Sequence, residues 1–176
     1  METKIKKTPK QVLIEEVKKF DEKKQKKLLK KLEGFKDDAS LVELMGITPD
    51  MIEYFYTQTR QKYLRKEYGA SSAAFRFLHK IVPMDARFCM GVAASEHMQK
   101  HYEDAAQWYW AADKLAPESP MALYHASDCY ANLNMPELAR YSLESALEKC
   151  KNNRDFADLE GKIKLILGNT TKEVQK

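Results

Sequence analysis

Long apolar runs are missing from this sequence: nowhere do about 18 consecutive apolar residues occur, so no segment reads as a membrane-spanning helix and no membrane insertion is expected. Glycine and proline are scarce, six of each among 176 residues, too few for the many tight turns of a β-sandwich or barrel. Cysteine is limited to Cys89, Cys129 and Cys150, an odd and widely spaced set with no CxxC pair. That pattern points to free thiols in a reducing compartment, in the simplest reading the cytoplasm. The opening METKIKKTPK is basic but has no apolar stretch of the kind a secretory signal needs.

Catalytic signatures are missing too. There is no GxSxG, no glycine-rich phosphate loop, no Rossmann fingerprint and no HExxH. His97 and His101 stand four apart, the spacing of a metal pair on a helix, but no third ligand is evident and no metal site is expected. Glu96, Glu103 and Asp104 lie beside them; paired carboxylates can do acid–base work, yet on a charge-rich helix they read as solvated faces. Cys89 and Cys129 sit among apolar neighbours and read as buried small hydrophobes. The expectation is a binding protein, not an enzyme, with no cofactor.

Charge is what the chain has in quantity, 32% of residues, with a net +4. The surplus is local: residues 1–36 hold 13 lysines against six acids, whereas the remainder carries 17 basic and 20 acidic residues. Such an arm can bind nucleic acid or an acidic surface. No aromatic platform is interleaved with these lysines, so no nucleic-acid partner is expected. Leu13, Val17, Phe20, Leu28, Leu32 and Phe35 fall at helical spacing in one helix or two, interrupted by Lys23 and Lys24. This stripe suits a dimerisation helix or one packed on its own domain, and the first ten residues are expected to be disordered. Residues 37–51 read as a linker and entry segment. In it LVELMGI is apolar and turn-like, and Thr48-Pro49-Asp50 starts a helix with a capping hydroxyl, a proline at the first position and an acid on the positive dipole end.

Residues 52–151 repeat with a period of 34. Tyr68, Tyr102 and Pro136 fall at helix–turn–helix corners; Ser71, Ala105 and Ala139 are small; Phe75, Tyr109 and Leu143 are large; Leu78, Ala112 and Ala146 are apolar. Pro83 and Pro117 close the first two units, and Lys151 replaces that proline in the third. Two antiparallel helices approach closely only where a small residue sits at the crossing, a large one then fills the space against the next pair, and proline stops the second helix. The period and pattern are those of tetratricopeptide (TPR) repeats. The expected fold is all-α: three repeats (52–85, 86–119 and 120–151) in a short right-handed superhelix, with an N-terminal helix, a capping helix over 152–168 and a frayed tail over 169–176. Phe156, Leu159, Ile163 and Ile166 supply the apolar face of the cap.

The first helices of such a stack line a concave groove through repeat positions 2, 5, 9, 12 and 13. Counting from Ile52, Ala86 and Pro120, these positions include Tyr56, Arg60, Tyr63 and Leu64, then Met90, Ala94, His97 and Met98, then Tyr124, Asp128 and Ala131. The wall is aromatic and methionine-rich with a few polar handles, suited to an extended peptide with spaced apolar anchors.

Over residues 41–150 the sequence resembles the class II translocator chaperones of bacterial type III secretion, the low-calcium-response protein H family. The resemblance rests on LVELMGIT, on DARFCMGVAASEHMQKHYEDAAQWYWAADKLAP and on PMALYHASDCYANL. Members have a similar D-x-R-F-F-L-G-L-G-A-C run, here Asp85 to Ser95, and an H-A-A-E-C run, here His125 to Cys129. The resemblance implies a bacterial cytoplasmic chaperone that holds a hydrophobic pore-forming translocator before export, through a short extended segment in the groove, with homodimers formed through N-terminal helices. Tyr56, Tyr63 and Tyr68 take aromatic positions of the first repeat, while Arg60 stands where relatives often have an aromatic, so one anchor pocket is altered. The other reading is a TPR adaptor for cytosolic proteins. Adaptors that clamp a C-terminal carboxylate use Lys, Arg and Asn in the groove, unlike this wall.

Overall fold

The computed structural model describes residues 8–19, 21–34, 36, 41–151 and 153–173. Among these, all regular structure is helical, ten α-helices and one short 3-10 turn, and no helix is long and apolar enough to cross a membrane. The chain divides into two compact units, Met1–Tyr54 and Phe55–Lys176.

In the first unit, α1 (Pro9–Val17) opens with a capping box: the Thr8 hydroxyl accepts from the Gln11 N–H and the Gln11 side chain accepts from the Thr8 N–H. A helix thus begins inside the stretch expected to be disordered, because its free N–H groups are satisfied locally; residues 1–7 lie outside the described ones. Asp21 caps α2 (Glu22–Glu33) by accepting from the Lys24 N–H, which separates the arm into two helices. Val17 and Leu32 are buried, while Phe20 and Phe35 of the expected stripe lie outside the described residues. LVELM is a five-residue helix, α3 (Leu41–Met45), instead of a plain turn. Gly46, at φ +67, ends it, and the Ile47 N–H reaches back to the Val42 carbonyl. The Thr48 hydroxyl accepts from the Met51 N–H at the start of α4 (Pro49–Leu64).

The second unit takes the rest of α4 and continues through α5 (Tyr68–Ile81), α6 (Ala86–Met98), α7 (Tyr102–Leu115), α8 (Met121–Asn132), α9 (Pro136–Cys150) and α10 (Ala157–Glu173). From α5 onward each helix packs on the next. The 34-residue period is written into the backbone: Lys66, Lys100 and Asn134 adopt positive φ of 64°, 64° and 57°. Beside each, the following N–H (Glu67, His101, Met135) reaches the carbonyl five residues back, at 3.0, 3.0 and 2.9 Å. This is the Schellman closure, which turns the chain sharply enough to pair antiparallel helices. Ser71, Ala105 and Ala139 lie buried at the crossings, and Phe75, Tyr109 and Leu143, with Leu78, Ala112 and Ala146, form the layers between pairs. Each large side chain contributes about 1.5–3 kcal/mol by leaving water. The fold is all-α with TPR-type helix pairs.

Three details differ from expectation. The 3-10 turn Arg154–Phe156 leads into α10, which continues through Glu173 instead of fraying at Asn169; Asn152 lies outside the described residues. Ile163 is fully buried against Leu143, Ala146 and Cys150, and it is Leu167, four residues on, that joins this cluster, while Ile166 is 38% exposed. Glu96 is not part of a solvated face. It is 7% exposed and accepts from the Ser72 hydroxyl, from Arg76 Nη2 at 3.0 Å and from His101 Nδ1 at 2.8 Å. Burial alone would raise its carboxyl pKa, but these donors outweigh burial and hold it below the ordinary value. Glu103 and Asp104 are exposed.

Candidate functional site

Residues three and four apart share a helix face, so α4, α6 and α8 each present one stripe: Tyr56, Arg60 and Tyr63; Met90, Ala94 and His97; Tyr124, Asp128 and Ala131. Two cavities lie along them. The first, about 390 Å³, is lined by Tyr56, Arg60, Tyr63, Met90 and Ala94 together with Phe75, Ala86, Arg87, Gly91, Ala116 and Ser119. The second, about 840 Å³, takes His97, Tyr124, Asp128 and Ala131 with residues of α9 and Ile166 of α10. The two are linked by α6, whose Met90 and Ala94 line the first and whose His97 lines the second. Leu64 and Met98, at the last positions of α4 and α6, are 54% and 50% exposed and line neither. One residue beyond position 12 is about 100° further round the helix, off the stripe.

An aromatic cluster holds the first cavity's shape. Tyr56 meets Phe75 and Phe88 at ring separations of 5.9 and 6.1 Å, and the Arg87 guanidinium lies 4.8 Å above the Tyr56 ring. Arg87 also forks onto Asp85 through Nε and Nη2, at 3.0 and 2.6 Å. Burial raises the Tyr63 hydroxyl, and Tyr68, edge-on at 5.4 Å, raises it further, so it remains a neutral donor. Gly91 is a requirement of packing: a Cβ there would stand 2.5 Å from the Phe75 ring. Arg60 is exposed at the rim and forms no ion pair among the described residues.

In the second cavity His97 bridges helices. Asp128 can only accept, so His97 Nε2 carries the hydrogen given to it at 2.7 Å, and Nδ1 lies 3.4 Å from the Tyr109 hydroxyl. Tyr109 stacks on His125 at 5.6 Å. Burial, then His97, pushes the His125 imidazole pKa below its ordinary value and favours the neutral ring. His97 and His101 therefore turn to different carboxylates, Asp128 and Glu96, and no group of three or more potential metal ligands occurs among the described residues. Cys89 Sγ lies 3.5 Å from His79 Nδ1, but burial raises that thiol, and Cys129 is pushed up to about 12 by burial and by Asp128. Both favour the inert protonated form.

Several lining residues were not singled out from sequence. Arg87 is position 2 of the second unit and was within reach of the position rule. Phe75, Glu137, Arg140 and Ile166 belong to second helices or to the cap, which a rule about first helices does not address.

No family model matches the sequence. Several solved structures match its fold. SycD of Yersinia enterocolitica, a type III secretion chaperone in complex with a peptide of the translocator YopD, aligns at a TM-score of 0.69 and 22% identity, covering 72% of this chain and 97% of that one. PcrH of Pseudomonas aeruginosa, in complex with the chaperone binding region of PopD, aligns at 0.70 and 22%, covering 73% and 96%. The CopN–Scc3 complex aligns at 0.69 and 26%, covering 88% and 96%. The helical architecture described above is that of these proteins.

Proposed function

We propose that this protein is a bacterial cytoplasmic chaperone of type III secretion that binds a hydrophobic translocator through an extended segment laid along α4, α6 and α8. It acts by holding that client soluble and export-competent, not by catalysis. The observation that carries the reading is the pair of open cavities on linked stripes of tyrosine, methionine and alanine, in a fold whose solved examples include chaperones holding translocator peptides. Extended clients are held by spaced apolar anchors in such pockets, with backbone groups left to polar handles. The peptide-binding set is Tyr56, Arg60, Tyr63, Met90, Ala94, His97, Tyr124 and Asp128. The two-helix arm, with Val17, Leu32 and Lys10 buried and its other described lysines exposed, supplies a homodimer contact.

Co-expression with candidate translocators from the same genome, followed by pull-down, tests this. The translocator is recovered soluble with the wild-type chain and lost on Tyr63→Asp or Met90→Asp. Recovery of no translocator above background, with ordinary TPR ligands retained, would end the proposal.

A further inference from the structure

The two cavities differ in charge. Two guanidinium groups, Arg60 and Arg87, line the first, and no carboxylate does. Arg87 is committed to Asp85 and to the Tyr56 ring, whereas Arg60 forms no ion pair among the described residues. The second cavity carries Asp128 and Glu137. Its one arginine, Arg140, donates to Glu144 at 2.8 Å and also feels the charge of Glu137, and His97 already serves Asp128. One end of the groove therefore offers an uncommitted cation among Tyr56, Tyr63 and Met90, and the other offers carboxylates.

We infer that the groove selects a charge-polarised segment, with a carboxylate side chain at Arg60 and a cationic side chain at Asp128 and Glu137, on either side of an apolar anchor. This rests on the groove reading above and adds to it which segment is chosen and in which direction it lies. A guanidinium fork matches a carboxylate in shape and charge, and apolar neighbours strengthen the pair by thinning the water around it. Arg60 on α4 and Asp128 on α8 hold the same repeat position, so two helix-to-helix steps of about 8–10 Å each lie between them, which about five residues of extended chain span. Acid and base belong about five residues apart. Charge placed this way sets selectivity and register more than bulk affinity.

The full chain is tested on an immobilised array of octapeptides held extended by flanking prolines. Each has a leucine, isoleucine, methionine or phenylalanine anchor, and Glu, Gln, Lys and Met are permuted on its two sides. Acid–anchor–base peptides are expected to be retained best. In solution, changing the peptide's Glu to Gln weakens binding to the wild-type chain about three- to tenfold, but less than about twofold to Arg60→Met, with the difference shrinking as salt rises. The peptide's Lys and Glu137→Gln show the same coupling. Because Arg60 and Glu137 are exposed, both variants keep wild-type helix content. Peptides retained without charge preference, or an equal Glu-to-Gln loss in wild type and Arg60→Met, overturn the inference while leaving the groove intact. An array that retains nothing overturns the groove reading itself, and the inference with it.

Discussion

An alanine at Gly91 tests whether the first cavity exists because α6 comes so close to Phe75. The added Cβ would stand 2.5 Å from Cδ2 and Cε2 of that ring and 2.6 Å from Cγ, about an ångström inside the usual carbon–carbon contact. With Cγ involved as well as the ring edge, a small rotation cannot relieve the overlap; the whole ring must move or the helices must part. Phe75 is 3% exposed and already lines the cavity of about 390 Å³, so the low-cost displacement is into that space. Overpacking costs about 1–3 kcal/mol, and replacing a mid-helix glycine by alanine returns about 1 kcal/mol. The net is a loss of about 0–2 kcal/mol, a few degrees of Tm at this chain length. Binding suffers more. A leucine anchor excluded from its pocket forfeits about 1.5–3 kcal/mol, so peptide affinity drops about tenfold or more. Thermal unfolding and fluorescence anisotropy, run on Gly91→Ala with and without Phe75→Leu, separate the two effects, since the smaller side chain restores room. If Gly91→Ala melts higher than wild type and binds peptide unchanged, the close approach is not what shapes the pocket.

Four further substitutions probe the scaffold. Lys66→Gly and Lys100→Gly place glycine at φ of 64°, where lysine is strained; each should stabilise the chain by up to about 1 kcal/mol in urea unfolding, and a loss would contradict the corner geometry. Glu96→Gln removes the charge and one of the two acceptor oxygens that serve Ser72, Arg76 and His101 and should cost about 2–4 kcal/mol. Because the folded carboxyl titrates below its ordinary value of 4.5, its contribution is complete above that pH and is lost as pH falls through the depressed value. The variant's stability should therefore vary less with pH below 4.5, and a curve parallel to wild type would refute the assignment. Ile163→Ala empties the fully buried centre of the α9–α10 contact, at about 2–5 kcal/mol; hydrogen exchange should accelerate in α10 before α5, and uniform acceleration would show that α10 does not open as a separate cap.

What could be read from sequence is what each unit demands in the same place. Ser71, Ala105 and Ala139 stand where helices cross, and Phe75, Tyr109 and Leu143 where pairs stack, so the size requirement recurs every 34 residues whatever the rest of the unit does. The left-handed corner recurs just as strictly, yet only Asn134 announces it; Lys66 and Lys100 carry no such signal, because the Schellman hydrogen bonds impose the conformation regardless of side chain. Glu96 was misread for a related reason. Two of its three partners, Ser72 and Arg76, lie 24 and 20 residues upstream on α5, and only pairing of α5 with α6 brings them into reach, so periodicity alone leaves it an ordinary charged residue.

The groove wall divides along the same line. Its front, the stripes on α4, α6 and α8, follows from helical spacing. The volume behind that front depends on Phe75 from α5, on the missing side chain of Gly91, and at the far end on Arg140 from α9 and Ile166 from α10. A peptide-facing residue changes what the groove touches, whereas these second-layer residues change how much room it has. On the proposed reading, a client's anchor size is set by residues that a first-helix rule never names, and its charge order by Arg60, Asp128 and Glu137. Swapping second-layer residues should shift preference among leucine, methionine and phenylalanine anchors while leaving the order of acid and base untouched.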